Sequence, residues 1–315
     1  MLSNIISLII FPILVLGALG HKYENDEFEI EFMSKRQTTT LKGIMTIVVF
    51  FHHFSQMVNN TQWIEHSYRV AQYSVGLFFL LAGYVTMAGH MRKKDLNLKK
   101  IWSNRCWRLY LPIVIFSIII NNFLSGLLFF FIFTDLAFVF FNSNNRRLMF
   151  ITFGNVLFII LCILIGKEAY WYDDVFTYAF GAAFALYREE LIRYLRGKRY
   201  YLYTIVVGIT FAVSTRLAYN WILFPASTIV SSTTGAFLII LVIMKINIKS
   251  KTFEFLGKYS WEIFLLHQLC IWSVSRISMH NSVVLIVSLT VAIAFAILAQ
   301  RLGRVLKSKL RYDAA

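Results

Sequence analysis

Two adjacent histidines, His52 and His53, lie inside the apolar stretch of residues 41–54, which also contains Lys42. Imidazole titrates near neutral pH and is suited to taking a proton in general-base catalysis. An ionisable side chain in a lipid-embedded helix is costly, so it is a functional-site hypothesis by default. In a helix, the eleven steps from Lys42 to His53 leave the two side chains within roughly 20° of each other and roughly 16 Å apart along the axis, whereas His52 lies about 80° away. The alternative is that both histidines are packed core residues that each make a hydrogen bond.

The composition is that of a membrane protein. Hydrophobic residues make up 58% of the 315 positions and charged residues 15%, and apolar runs of spanning length recur along the chain. We therefore expect an all-α polytopic membrane protein, without the alternating segments of a transmembrane barrel. The net charge is +15, but the basic residues form no patch in a soluble domain. The charge therefore does not indicate a nucleic-acid partner. The three cysteines show no metal-ligand spacing and no disulfide framework.

About eleven apolar segments are predicted to span the membrane. The first is residues 2–20, which is either an extra N-terminal span or a signal-like segment, and a polar linker follows at 21–40. The organising helix begins at residue 41. The remaining segments lie near 69–90, 107–123, 126–142, 147–165, 172–187, 201–217, 222–244, 259–277 and 281–300.

The distribution of Lys and Arg supports this series of spans. The alternate connections 21–42, 91–108, 142–147, 188–200, 245–258 and 301–315 carry 27 of the 31 cations. Because cytoplasmic loops are enriched in Lys and Arg, these connections are predicted to be cytoplasmic. The linker 21–40 and the basic tail 301–315 are then inside the cell, and the N-terminus is outside.

Other polar side chains are candidates for a site. Arg105 and Arg108 are spaced i, i+3 at the mouth of a predicted span, and guanidinium groups are suited to phosphate. Simple positive-inside anchoring is the alternative for the basic loop around them. Asp135 lies within an apolar segment and is expected to meet a polar partner. Residues 170–174 are either an interfacial aromatic belt or a rim that contacts carbohydrate.

Four motifs, in order, resemble the acyltransferase 3 family of membrane acyltransferases. A basic residue followed after ten positions by His matches Lys42 and His53, and residues 78–84 (FFLLAGY) match the family's second-span signature. Arg105 and Arg108, followed by Tyr110 and Pro112, match its RxxR motif, and Gly257, Lys258, Ser260 and His267 match a late motif. The chain departs from the pattern at Lys42, Ala82, Trp261 and Phe264. Lys42 matters most, because lysine cannot form the bidentate fork of arginine.

The resemblance implies a ten-helix bundle over residues 41–300 as the membrane acyltransferase domain, preceded by one extra span. It implies acyl transfer, with acetyl-CoA as donor substrate, no bound cofactor or metal, and a surface glycan as acceptor. Lys42, Arg105 and Arg108 would hold the phosphates of the donor, and His53 would be the general base. Ser260 and His267 take supporting roles by resemblance, and Asp135 is a further supporting candidate. The expected location is the cell (plasma or inner) membrane.

Two other functions remain open from the sequence. A proton-coupled transporter or lipid-linked-sugar flippase would use His53, Asp135 and His267 along a proton or substrate path. The paired repeats with interrupted helices that are typical of transporters are not visible in the sequence. A non-catalytic membrane partner of a glycan-assembly complex is the third reading, and binding of acyl-CoA would separate the enzyme from both.

Overall fold

The computed structural model describes residues 19–22, 28, 32–59, 61, 67–93, 97–106, 122–218, 224–248, 250–277 and 280–312. Its helices are α1 (Lys35–Met57), α2 (Ser67–Met91), α3 (Leu98–Arg105), α4 (Asn122–Phe140), α5 (Asn144–Leu164), α6 (Phe176–Leu186), α7 (Arg188–Tyr194), α8 (Lys198–Leu217), α9 (Phe224–Lys245), α10 (Lys251–Lys258), α11 (Ser260–Ser275) and α12 (Asn281–Tyr312). Within the described ranges, the departure from the all-α prediction is one short antiparallel ribbon. Its strands are β1 (Leu19–Lys22) and β2 (Ile246–Ile248).

Most predicted spans in the described part of the chain are helices, but the count of eleven is not confirmed. By length and hydropathy, five of the described helices can cross a membrane, namely α2, α5, α8, α9 and α12, and Gly126–Phe140 of α4 is a shorter apolar helix. The predicted span 172–187 is only the eleven-residue α6, about 16 Å long, against a hydrocarbon core of about 30 Å. The predicted spans 2–20 and 107–123 lie almost wholly outside the described residues.

Helix α1 remains regular although it contains several polar side chains. It begins after Ser34, whose hydroxyl accepts a hydrogen bond from the backbone N–H of Gln37 at 3.3 Å and so caps the helix. The hydroxyls of Thr38, Thr40 and Thr46 each donate to the carbonyl four residues earlier. These bonds satisfy the hydroxyl groups inside the helix itself, which allows the threonines to be buried.

Paired glycines set the closest helix approaches. A Cβ atom on Gly43 of α1 would overlap the carbonyl oxygen of Phe253 in α10, and one on Gly257 would overlap that of Thr39. Gly83 of α2 and Gly181 of α6 have the same reciprocal relation to the opposite backbones. Small residues that let backbones approach closely are typical of helix packing in membranes. Gly83 and Gly257 are also the glycines of two of the motifs found in the sequence.

The connections between helices sort to two ends of the bundle. At one end, which we call the basic end, β1 pairs with β2, Arg36 lies 3.5 Å from Glu254, and the Arg188 guanidinium lies 4.8 Å from the centre of the Phe32 ring. These contacts join the connections 21–42, 188–200 and 245–258, all members of the cation-rich set.

At the opposite end, the contacts join the other set of connections. Asn281 Nδ2 donates to the carbonyl oxygen of Asn59 at 2.8 Å, and Gln72 Nε2 donates to Asp173 at 3.0 Å. The two sets of connections that alternate in the charge pattern are therefore also the two sets that meet in space.

Candidate active site

Helices α1 and α11 bring His53 and His267 together. Their ring centres are 4.9 Å apart, with the ring planes inclined at 44°. His53 is partly exposed, whereas His267 is only 2% exposed. The rings of Phe50 and Phe264 lie 6.4 Å and 5.7 Å from His267. The late motif is thus placed against the first motif, and the two histidines form one site among aromatic side chains.

Two glutamines hold the His53 ring. Gln56 Oε1 lies 3.0 Å from His53 Nδ1, and since an amide oxygen can only accept, Nδ1 carries the hydrogen in this bond. The lone pair of His53 is then at Nε2, where Gln268 Nε2 approaches to 3.4 Å, while its distance to Nδ1 is 3.2 Å. His53 is therefore oriented with its proton-accepting nitrogen away from Gln56.

The tautomer of His267 is fixed by its own helix. Its Nδ1 lies 2.7 Å from the carbonyl oxygen of Phe264 and 3.2 Å from that of Ile263. Carbonyl oxygens accept only, so Nδ1 carries the hydrogen and Nε2 has a lone pair. This Nε2 is buried and has no hydrogen-bond partner among the residues that the structure describes. Such a group is unusual and requires an explanation.

His52 is not independent of the pair. The spacing along α1 predicts that its side chain points about 80° away from the face of Lys42 and His53. In the structure its ring still meets that of His53 edge-on, with centres 4.8 Å apart. We therefore refer to His52, His53 and His267 together as the histidine cluster.

Asp135 has two partners that the sequence did not identify. Its Oδ1 lies 2.7 Å from His90 Nε2, and its Oδ2 lies 2.5 Å from Arg105 Nη1. Asp135 is 3% exposed, and both contacts are charge-assisted when His90 is protonated. We call His90, Asp135 and Arg105 the carboxylate triad; it lies where α2 reaches the basic end.

Every polar group of the triad has a role in the packing. His90 Nδ1 lies 2.8 Å from the carbonyl oxygen of Thr86, so both of its ring nitrogens face oxygen atoms that can accept a hydrogen bond. The Arg105 guanidinium lies over the rings of Phe131, at 4.4 Å, and Trp102, at 5.2 Å. Arg105 is thus held in a fixed orientation by one carboxylate and two aromatic faces.

The other predicted site residues have different positions. Lys42 lies three helical turns from His53 toward the basic end, on the same continuous helix. Ser260 is buried and donates its hydroxyl to the carbonyl oxygen of Gly257 at 3.0 Å. It lies two turns before His267 on α11, toward the basic end. Arg108 lies outside the described residues.

An acidic pair occupies the opposite end, in the turn before α6 begins. Asp173 accepts from Gln72, and Asp174 accepts from the Ser232 hydroxyl. Burial raises the pKa of Asp173 to about 7. These bonds account for the two carboxylates as packing groups at this end, while the neighbouring Tyr170 is 60% exposed.

Sequence reasoning missed Gln56, Gln268 and His90. Gln56 lies three positions after His53 and therefore on the same helical face, which is a usable signal. Gln268 directly follows a motif histidine. His90 is the last residue of the predicted span 69–90, so it meets the default criterion for an intramembrane ionisable group, and this signal was available in the sequence.

The described site consists of a histidine cluster among aromatic side chains and, toward the basic end, an arginine that is paired with Asp135. Residues 39–154 match the family model described as an acyltransferase domain, that of the acyltransferase 3 family. This match, over just over a third of the chain, agrees with the resemblance found in the sequence, and the described apolar helices are those of a multi-pass membrane protein. No curated protein and no solved structure matches the chain. The matched segment contains His53, Arg105 and Asp135 but not His267.

Proposed function

We propose that the protein is a membrane O-acyltransferase that transfers an acetyl group from acetyl-CoA to a hydroxyl group of a surface glycan. The observation that carries this proposal is the contact of His53 with His267 in the membrane bundle, with His53 inside the matched acyltransferase segment. A proton acceptor is the group that this reaction needs, because a hydroxyl must lose its proton as it attacks a thioester.

In the proposed reaction, His53 is the general base. The acceptor oxygen forms a bond to the thioester carbonyl carbon while His53 Nε2 takes the hydroxyl proton. Collapse of the tetrahedral intermediate breaks the C–S bond, and the sulfur leaves as a thiolate that receives the proton to give the CoA thiol. Gln56, bonded to Nδ1 at 3.0 Å, keeps the lone pair at Nε2 for this step.

The donor enters at the basic end in this proposal. Arg105 and Arg108 bind the donor phosphates with help from Lys42, and the acyl arm extends along α1 for roughly 16 Å toward His53. Asp135 and the two aromatic rings support this role of Arg105, because an arginine already held in place loses less side-chain freedom when it binds an anion.

We further infer that the basic end faces the cytoplasm, as the 27-to-4 distribution of cations indicates. This places the C-terminus inside and the acceptor at the opposite, outer end. In a variant without native cysteines, we expect Glu168→Cys to react with an impermeant maleimide in intact cells. Asn97→Cys should react only after permeabilisation, and the reverse pattern would mean that the orientation is inverted.

The function is tested by acetyl transfer from labelled acetyl-CoA in membranes that contain the native cell envelope as acceptor. The parent protein should form base-labile acetyl esters. His53→Ala and His53→Gln should both lose at least about 100-fold in rate, since glutamine keeps a hydrogen bond but cannot take the proton.

The controls separate catalysis from folding. Both His53 variants should keep near-normal amounts of folded protein and near-normal acetyl-CoA binding, and His52→Ala should have a milder effect. An active His53→Gln variant would rule out general-base catalysis by this residue. Absence of both acetyl-CoA binding and transfer in the folded parent protein would favour a transporter instead.

A further inference from the structure

The Nε2 atom of His267 is a buried polar atom of the proposed site that the reaction described above does not use. His267 Nδ1 is committed to two backbone carbonyls, so its lone pair can only be at Nε2. A buried acceptor without a partner costs on the order of 1–3 kcal/mol. Packing alone does not explain why a histidine, rather than an apolar residue of similar size, occupies this position.

The state of His53 explains why the two rings make no hydrogen bond at rest. With Nδ1 bonded to Gln56, His53 also carries its lone pair at Nε2. Two neutral imidazoles that each present a lone pair have no hydrogen to share. One added proton turns one of them into a donor and leaves the other as its acceptor.

The separation of the rings fits a shared proton. A nitrogen–nitrogen hydrogen bond of ordinary length places two imidazole centres roughly 5 Å apart when the bonded nitrogens point toward each other. The observed distance between the centres of His53 and His267 is 4.9 Å. The helices are therefore already at a separation that such a bond requires.

We propose that His267 is the positioning residue for the protonated form of His53, through a hydrogen bond from the His53 imidazolium to His267 Nε2. The proposal rests on the function proposed above. When His53 takes the proton of the acceptor hydroxyl, its new N–H donates to His267 Nε2, which offsets the cost of a charge in apolar surroundings. On collapse of the tetrahedral intermediate, the same proton passes from His53 to the departing sulfur, and both histidines return to their neutral forms.

The resting contacts of Gln268 fit the same cycle. Its amide nitrogen lies 3.2 Å from Nδ1 and 3.4 Å from Nε2 of His53, so it is not directed at one lone pair, and such long contacts can be given up. Gln268 directly follows His267 on α11. One turn of this helix therefore supplies both neighbours of His53: Gln268 in the resting state and His267 in the protonated state.

The test compares two substitutions of His267. His267→Gln keeps an acceptor that can receive the imidazolium hydrogen, whereas His267→Leu removes it. In the labelled acetyl-CoA assay with native envelope as acceptor, we expect His267→Leu to lower kcat about 100-fold and His267→Gln only about 10-fold, with the KM for acetyl-CoA near that of the parent. His280→Gln, at an exposed histidine outside the cluster, is the matched control and should leave the rate unchanged.

Each other outcome overturns the proposal in a distinct way. If kcat falls equally in His267→Gln and His267→Leu, to the value of His53→Ala, then His267 itself is the proton acceptor. Parent-like rates in both would leave it a packing residue, and loss of folded protein in both, measured by size-exclusion chromatography, would leave it a structural one. An inactive parent protein that still binds acetyl-CoA would contradict the proposed function itself, which the His267 variants do not decide.

Discussion

The carboxylate triad and the histidine cluster are both polar, both largely buried and both built across two or more helices, yet they differ in how completely they are satisfied. In the triad, each oxygen of Asp135 has a cationic or potentially cationic partner, and each nitrogen of His90 has an acceptor. In the cluster, His267 Nε2 has none among the described residues. A saturated network fixes geometry, whereas an unsaturated one retains the capacity to bind a proton. Within the proposed function, the triad is therefore expected to orient Arg105 and the histidine cluster to take up the proton.

The largest loss of stability is expected for Asp135→Asn, in the carboxylate triad. The substitution leaves Arg105 and His90 beside a neutral amide, and breaking a buried ion pair by removing one partner costs about 3–5 kcal/mol. Unfolding in mixed micelles should show this loss, together with weaker acetyl-CoA binding as Arg105 is released. The matched control is Glu254→Gln, which breaks the surface pair with Arg36, whose side chain is 54% exposed. It should cost no more than about 1 kcal/mol.

Equal stability of the two variants would remove the distinction between a buried positioning network and a surface ion pair. Asp135→Asn together with Arg105→Leu should recover part of the stability, because no unpaired guanidinium then remains buried. It should not recover acetyl-CoA affinity, and recovery of both would mean that Arg105 has no part in binding the donor.

A smaller effect, on the histidine cluster alone, is expected from Gly257→Ala. The added methyl group overlaps the backbone of α1 at Thr39, and overpacking of this kind typically costs about 1–3 kcal/mol. Because α10 leads directly into α11, displacing it moves His267 relative to His53, so acetyl transfer should fall while the triad keeps its acetyl-CoA affinity.

Gly89→Ala on α2 is the control for this effect. A Cβ at Gly89 meets nothing within 4 Å, and alanine is the better helix former by about 1 kcal/mol. This variant should be as stable as the parent or slightly more so. If Gly257→Ala leaves acetyl transfer at the parent rate, the approach of α10 to α1 does not set the geometry of the cluster.

The sequence predicted what lies along one helix better than what lies between helices. Period and hydropathy gave most of the helices and placed Lys42 and His53 on α1, because those signals are local. They could not give the partner of Asp135, since His90 and Arg105 come from other parts of the chain. They also overextended α6: the predicted span begins at residue 172, whereas residues 172–175 form turns in the structure.

The surroundings of His267 could not be predicted for a similar reason. By motif alone it was a supporting residue, and nothing in its neighbours shows that Phe264 and Ile263 fix its tautomer through their carbonyl groups. That information depends on ring rotation, which the sequence does not encode in any short pattern. Its distance from His53 depends on how α11 packs against α1, which the paired glycines at 43 and 257 help to set.

The distance along the chain between the two halves of the cluster has a consequence for biogenesis. Gln268 lies 215 positions after His53. At a synthesis rate of roughly 5–20 residues per second, the ribosome takes about 10–40 s to reach α11 after α1 has been made. For the later part of that interval the nascent chain contains Arg105 but not yet His267. If the proposed function holds, an incomplete chain is expected to be inactive until α11 has been inserted.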